Sequence, residues 1–217
     1  MTDTRALIGE LASRAQPVRR LTSPLRRTLL WAVLAAAVIL VVIANYGLRP
    51  GVVSSAPGAI EWIGSVLTAL LAAYAAFQIS VPGRSPSWAW LPLPPLLLWL
   101  TGLGWGCARE WLQVGNAAFA FQAASWECAQ AITLISVPLG AILLLMVRHA
   151  GVVRPAPTAL LAALGAAAMS AAGVSLFHEG ESALMVLVWH LGAVALLSLL
   201  CGLFGRRLLA WIGHARR

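Results

Sequence analysis

The stretch LLWAVLAAAVILVVIANYGL, Leu29–Leu48, decides the fold of this chain, because its twenty residues include no charged side chain. A helix of about 20 apolar residues is long enough to cross the roughly 30 Å hydrocarbon core of a bilayer. Five further apolar runs of similar length follow, so the sequence predicts an all-α integral membrane protein with six transmembrane helices. The five runs are Ile60–Val81, Trp88–Gly106, Ala129–Val147, Thr158–Phe177 and Ala183–Phe204.

The charged residues sort to the two sides of this six-span pattern. Of the 15 arginines, thirteen lie in the N-terminal segment, the second and fourth connections and the tail, whereas five of the 7 acids lie in the other connections. Basic residues in short loops stay cytoplasmic, so both termini are predicted to be cytoplasmic. The thirteen are Arg5, Arg14, Arg19, Arg20, Arg26, Arg27, Arg84, Arg148, Arg154, Arg206, Arg207, Arg216 and Arg217; the other side holds Arg49, Arg109, Glu61, Glu110, Glu127, Glu179 and Glu181.

This pattern divides the chain into a cytoplasmic N-terminal segment (1–27), a six-helix membrane domain (28–205) and a basic cytoplasmic tail (206–217). The first span is expected to be retained, because it is too long for the apolar part of a signal peptide. The net charge of +8 indicates membrane topology and attraction to anionic lipid headgroups. Direct nucleic acid binding is not expected, since no cytoplasmic segment is long enough for a DNA-binding module.

The N-terminal segment predicts a short amphipathic helix. Asp3 is a plausible N-cap, Pro17 should end the helix near Gln16, and apolar residues recur between them at helical spacing. A helix of about 13 residues is marginal alone in water, so it should pack on the membrane surface, on the protein's own loops or on a partner. A basic collar that includes Arg26 and Arg27 follows it and is typical of a lipid-headgroup anchor. The apolar positions are Leu7, Ile8, Leu11, Ala12 and Ala15.

Several features inside the spans predict how the helices pack. Three prolines near the start of the third span predict an irregular helix there. The fifth span is rich in Ala and Gly, which let helices approach closely, so it should be central in the bundle. Trp31 and seven other tryptophans lie near the predicted interfaces, as expected for an aromatic belt. The three prolines are Pro92, Pro94 and Pro95.

Few polar side chains fall inside the spans. No Asp, Glu or Arg is expected at mid-membrane, which counts against a proton-coupled transporter. His190, in the outer third of the sixth span, is a functional candidate, because ionisable residues within membranes usually have a role. The alternative is a neutral histidine that is hydrogen-bonded to a neighbouring helix.

Two of the three cysteines are predicted at the outer face. Cys107 ends the third span and Cys128 begins the fourth, so a disulfide in an oxidising periplasm is one hypothesis. A metal site formed with His178 and Glu179 is another, but neither Cys-x-x-Cys nor His-x-x-x-His spacing supports a structural metal. A transient encounter of the thiols with oxidants or soft metals is favoured over a constitutive structural metal, and no cofactor is predicted. Cys201 is expected to be a packing residue.

The order of several short motifs resembles the NrsF family of bacterial inner-membrane anti-sigma factors over nearly the whole chain. That resemblance implies a cytoplasmic N-terminus that holds an extracytoplasmic-function sigma factor inactive until an oxidant or heavy metal is sensed at the periplasmic side. Cys128 matches the cysteine of the family, whereas Phe177-His178-Glu179 stands where a second one is expected. The motifs are Pro17-Val18-Arg19-Arg20-Leu21, Pro82-Gly83-Arg84-Ser85, Leu91-Pro92-Leu93-Pro94, Ser125-Trp126-Glu127-Cys128 and Val188-Trp189-His190.

Together these observations predict a regulatory protein without catalytic activity. Its N-terminal helix would bind the sigma factor, and its outer face would sense the signal. A small transporter or channel and a membrane redox enzyme are the alternatives, and the oligomeric state stays open. The predicted partner-binding residues are Leu7, Ile8, Leu11, Arg14, Ala15, Arg19 and Arg20; the predicted sensing residues are Cys107, Cys128, His178 and His190.

Overall fold

The computed structural model describes residues 3–14, 21–48, 54–119, 126–150, 152–177 and 187–214. Within these ranges the chain is helical and contains no strand. Six of the helices are long and apolar enough to cross a membrane, which confirms the predicted all-α, six-span class. The helices are α1 (Thr4–Arg14), α2 (Pro24–Tyr46), α3 (Ala56–Ile79), α4 (Leu93–Val114), α5 (Trp126–Val147), α6 (Pro155–Val174) and α7 (Gly192–His214).

Serine and proline together set where the first two spans begin. The hydroxyl of Ser23 accepts a hydrogen bond from the Arg26 amide at 3.4 Å, and that of Ser55 accepts one from the Gly58 amide at 3.3 Å. Each serine is followed within two residues by a proline, whose fixed φ suits the first helical turn. Because α2 begins at Pro24, the first turn of this span includes residues that the sequence placed in the N-terminal segment.

The third span begins irregularly, as its prolines predicted. A 3₁₀ helix, Pro86–Trp90, precedes α4, which starts only at Leu93. At its other end α4 stops at Gly115, whose φ of +60° is accessible to glycine at low cost, and a second 3₁₀ turn, Gly115–Phe119, follows. The third span is therefore a composite element that runs from Pro86 to Ala117.

Helix α6 is central in the bundle, which confirms the prediction from its small residues. Of its apolar span 83% is buried, against 22% for α2. A Cβ atom on Gly165 would lie 3.1 Å from the carbonyl oxygen of Ala69 in α3. A Cβ atom on Gly205 of α7 would lie 2.9 Å from the carbonyl oxygen of Pro155. Glycine therefore allows α6 to pack directly against the backbones of α3 and α7.

Helix α2 lies at the edge of the bundle and is joined to it by a few specific contacts. The indole Nε1 of Trp31 donates to the carbonyl oxygen of Leu139 at 3.2 Å, and the side chain is fully buried. The placement of Trp31 in an interfacial aromatic belt was therefore wrong. The helical phase set at Pro24 turns this side chain towards α5, where the indole finds an acceptor.

The spans alternate in direction, so the bundle has two chemically different ends. We call the end at which α2, α4 and α6 begin the basic end. There the Arg154 guanidinium donates to the carbonyl oxygen of Arg84 at 3.0 Å and so links two connections. The described arginines of the basic end are Arg26, Arg27, Arg84, Arg148, Arg154, Arg206 and Arg207; Glu61, Cys107, Arg109, Glu110 and His190 lie towards the opposite end.

Candidate functional site

His190 lies in a single turn of π-helix at the start of the sixth span. The wide turn covers Leu187–Leu191 and leads directly into α7. Such π turns are rare and occur frequently at functional sites. The side chain of His190 is only 3% exposed, and its Nδ1 atom lies 4.0 Å from Oε1 of Glu61, which is 22% exposed. Sequence reasoning singled out His190 but missed Glu61 as its neighbour.

Close packing of α3 against α4 forms the surroundings of Glu61. A Cβ atom on Gly102 would lie 2.7 Å from the backbone nitrogen of Glu61, and one on Gly64 would lie 2.6 Å from that of Trp99. Only glycine at these two positions allows the helices to approach so closely without a shift. The approach holds Glu61 between α4 and the π turn, since both α3 and the π turn pack on α4.

The same packing brings Cys107 into electrostatic range of two carboxylates. Cys107 is half-buried on α4 with a free thiol, and both Glu110 and Glu61 act on that thiol electrostatically. The structure thus gathers two of the four predicted sensing residues, Cys107 and His190, around Glu61 at the end opposite the arginines. Within the part of the chain that the structure describes, no group of three or more His, Cys, Asp or Glu side chains is placed to hold a metal ion.

The other two predicted sensing residues lie beyond the described part of the site. His178 is outside the described residues, and Cys128 belongs to the first turn of α5, but its side chain is not described. The proposed pairing of Cys107 with Cys128 therefore remains a hypothesis. Cys201 lies elsewhere, in an apolar crevice of about 230 Å³ between α5, α6 and α7.

At the basic end, Arg27 is buried inside the bundle. Its residue surface is only 5% exposed, and Nη2 donates to the carbonyl oxygen of Phe77 at 3.2 Å. The guanidinium carbon also lies 4.7 Å from the centre of the Phe77 ring, in a cation–π contact. The prediction that Arg27 belongs to a lipid-facing collar was wrong. Its position in the first turn of α2 faces the last turn of α3, whose carbonyls lack helical donors.

Helix α1 leaves its apolar side chains uncovered. None of its eleven residues is buried, and Leu7, Ile8 and Leu11 are 49%, 61% and 62% exposed. Asp3 caps this helix by accepting from the Arg5 amide at 3.1 Å. Arg14 forms a 2.8 Å ion pair with Glu10, one turn earlier. The remaining predicted partner-binding residues, Ala15, Arg19 and Arg20, lie outside the described residues.

The chain has an exposed helix, α1, before a bundle of six helices that are apolar enough to span a membrane, and ionisable side chains are buried towards both ends of the bundle. These features are those of a multi-pass membrane protein. The family model described as NrsF, negative regulator of sigma F, matches residues 11–211. The chain therefore belongs to the NrsF family, whose name implies negative regulation of a sigma factor. No curated protein and no solved structure matches the chain.

The extent of the family match divides α1. Leu11 and Arg14 lie inside the matched range, whereas Leu7 and Ile8 precede it. The six spans are covered by the match, apart from the last three residues of α7. The exposed apolar face of α1 thus begins before the matched range and continues into it.

Proposed function

We propose that the protein is a membrane-bound anti-sigma factor that holds an extracytoplasmic-function sigma factor at the cytoplasmic face of the bacterial inner membrane. Its cytoplasmic N-terminal segment, 1–27, would bind the sigma factor, and a stress signal at the opposite face would release it. The observation that carries this proposal is the uncovered face of α1, formed by Leu7, Ile8 and Leu11, in a chain of the NrsF family.

The length of α1 supports a partner rather than an independent helix. With 11 residues it is shorter than the roughly 12–15 residues that an isolated helix needs in water. Burial of three large apolar side chains in a groove of the sigma factor would supply the missing stability, as in other helix-in-groove complexes. Once the sigma factor is released, α1 loses the stability that burial of these side chains supplies.

Charge would give the complex its specificity. Arg14 already pairs with Glu10, so an acidic residue of the sigma factor would have to compete with an intrahelical partner. Surface ion pairs of this kind contribute little, about 0–1 kcal/mol, so replacing Glu10 by an acidic residue of the sigma factor as the partner of Arg14 costs little free energy. Arg19 and Arg20 follow α1 in the sequence and are the further arginines proposed to meet acidic groups on the sigma factor.

The distribution of arginines supports the proposed orientation. Arginines in short connections stay on the cytoplasmic side, so the basic end would face the cytoplasm and the surface of anionic lipids. Glu61, Cys107 and His190 would then face the periplasm. An oxidant or a soft metal that reaches Cys107, Cys128 or His178 is the proposed signal, and His190 is the buried member of the same proposed sensing set.

The direct test is capture of the partner. The full-length protein, tagged at its C-terminus, is extracted from the membranes of its own cells in mild detergent, and the proteins that remain bound are identified by mass spectrometry. We expect a sigma factor in the bound fraction, and its loss when residues 1–22 are deleted. If the same sigma factor is recovered with the truncated protein, the N-terminal segment is not the binding element.

A further inference from the structure

The contact between His190 and Glu61 joins two spans that are far apart in the sequence. His190 begins the last span, Glu61 lies in the second, and the two side chains approach to 4.0 Å. Ionisable residues inside the membrane are costly and usually functional, and here each is the other's neighbour. From this pair we infer a proton-binding site: protonation of His190 turns the contact with Glu61 into an ion pair that draws α7 and α3 together.

The burial of the two side chains suits a proton better than a larger ligand. His190 is 3% exposed, so its ring is shielded from ions and small molecules. Glu61 is 22% exposed and is therefore the more accessible member of the pair. Histidine is also the side chain whose ordinary titration falls closest to neutral pH.

In the described part of the chain, the other titratable and charged groups near the π turn lie on α4, α5 and α7. On α4, Cys107, Arg109 and Glu110 lie towards the same end, and on α7 the nearest is Cys201, about 16 Å farther along the helix. On α5 the groups at this end are Glu127 and Cys128, whose side chains are not described. Among the described groups, Glu61 is the carboxylate that lies within 4.0 Å of the imidazole.

The sign of the effect follows from the charges. When the ring of His190 carries a proton and the carboxylate of Glu61 does not, the two groups attract each other and stabilise the packed bundle. Loss of the proton at higher pH makes the ring neutral, and this stabilisation is lost. The response requires no thiol and is therefore separate from the proposed redox signal.

The π turn gives the contact room to change. A π turn holds one residue more than the α-helical turn it replaces, so small shifts in helix register are accommodated there. Phe77, the partner of Arg27, lies about 24 Å farther along the same helix α3 as Glu61. A shift of α3 as a unit at this end would therefore also move the contact at the basic end. The role of the response in sigma-factor release rests on the function proposed above, whereas the proton site itself does not.

A thermodynamic cycle on the purified protein tests the site without the sigma factor. Melting temperatures of the wild type, His190→Gln, Glu61→Gln and the double variant are measured in detergent at about pH 5.5 and about pH 8, on either side of the ordinary pKa of a histidine side chain. The coupling between the two positions is the difference between the effect of the double variant and the summed effects of the two single variants. We expect this coupling to add about 3 °C to the wild-type melting temperature at the lower pH and nothing at the higher pH. Glu110→Gln, which removes a carboxylate at the same end, should leave the pH difference as it is in the wild type.

Equal coupling at both pH values would mean a neutral hydrogen bond and would overturn the proposal. If His190→Gln does not fold, Glu61→Gln decides alone, because the pH difference must shrink when the carboxylate is removed. In a second measurement, the amount of sigma factor retained by the wild type should differ at least twofold between the two pH values, and Glu61→Gln should abolish the difference. A pH-dependent melting temperature with unchanged retention would overturn the link to release only.

Discussion

The guanidinium of Arg27 and the carbonyl oxygen of Phe77 are 3.2 Å apart, although the two residues are fifty positions apart in the chain. Phe77 lies in the last turn of α3, and its carbonyl also accepts from the hydroxyl of Ser80 at 2.9 Å. Arg27 lies in the first turn of α2, directly after the segment that carries α1. The contact therefore fixes the start of the first span to the bundle and limits how far the N-terminal segment can move relative to it.

Replacement of Arg27 by methionine should destabilise the bundle only moderately. The substitution removes a charged hydrogen bond and a cation–π contact, together worth about 2–4 kcal/mol. It also removes a buried charge whose Nε and Nη1 atoms have no hydrogen-bond partner among the described residues, and that removal is favourable. We expect a net loss of about 1 kcal/mol, measured as a fall of about 2–4 °C in melting temperature in detergent.

Arg26→Met is the matched control for this variant, because Arg26 is the exposed neighbour of Arg27. It should change the free energy of unfolding by less than about 0.5 kcal/mol. Amide hydrogen exchange in the first turn of α2 should become faster in Arg27→Met alone. Equal melting temperatures for the two variants would contradict the anchoring role assigned to Arg27.

The contrast between these two arginines shows where sequence reasoning stopped. The existence of six spans follows from hydropathy and length, and the central place of α6 follows from its small residues. Arg26 and Arg27, however, are equivalent in composition and in distance from the apolar run. Arg27 is buried and Arg26 is exposed because successive helical residues point about 100° apart. Which of them faces α3 depends on the starting point of α2 at Pro24 and on which helix packs beside it.

The same limit explains why Glu61 was missed. Its position near the end of an apolar run was visible in the sequence, and so was that of His190. Their contact depends on α3 and the π turn both packing against α4, and the approach of α3 to α4 depends on Gly64 and Gly102. Hydropathy gives no information about which spans are neighbours. A lone acid beside an apolar run was the signal that should have suggested a partner.

The tight passage of α4 over α3 predicts that Gly102→Ala is destabilising. The new Cβ atom would lie 2.7 Å from the Glu61 backbone nitrogen and 3.0 Å from its Cα atom, so one helix must shift. Overpacking of this kind costs about 1–3 kcal/mol and should lower the melting temperature in detergent.

Gly104→Ala is the matched control, two residues along the same helix, where a Cβ atom would meet nothing within 4 Å. It should be neutral or stabilising, since alanine favours helix by up to about 1 kcal/mol over glycine. Equal melting temperatures for the two variants would contradict the close approach.

The proposed binding of the sigma factor by α1 predicts which substitutions release it. Leu7→Asp combined with Leu11→Asp places two charges on a surface that must be desolvated in the complex, so co-purification of the sigma factor should fall at least tenfold. The membrane content of the variant should equal that of the wild type, because α1 contributes no buried residue to the bundle.

Ala6→Asp combined with Ser13→Asp adds the same charge to exposed positions on other faces of α1 and serves as the control. This variant should retain the sigma factor nearly as well as the wild type. Retention of the sigma factor by the Leu7/Leu11 variant at the wild-type level would show that the apolar face is not the contact surface. Equal loss in both variants would instead point to net charge as the cause.

The proposed orientation can be tested through the two cysteines that lie at different depths in the bundle. A variant that keeps only Cys107 has a half-buried, free thiol at the end opposite the arginines, whereas a variant that keeps only Cys201 has its thiol in an apolar crevice between helices. A membrane-impermeant maleimide added to cells with a permeabilised outer membrane should label the Cys107 variant, because the proposed orientation places the basic end in the cytoplasm and Cys107 towards the periplasm. The Cys201 variant should stay unlabelled until the protein is denatured. Labelling of Cys107 in inverted vesicles but not in these cells would show that the bundle is inserted the other way, and would place the proposed sensing residues on the cytoplasmic side.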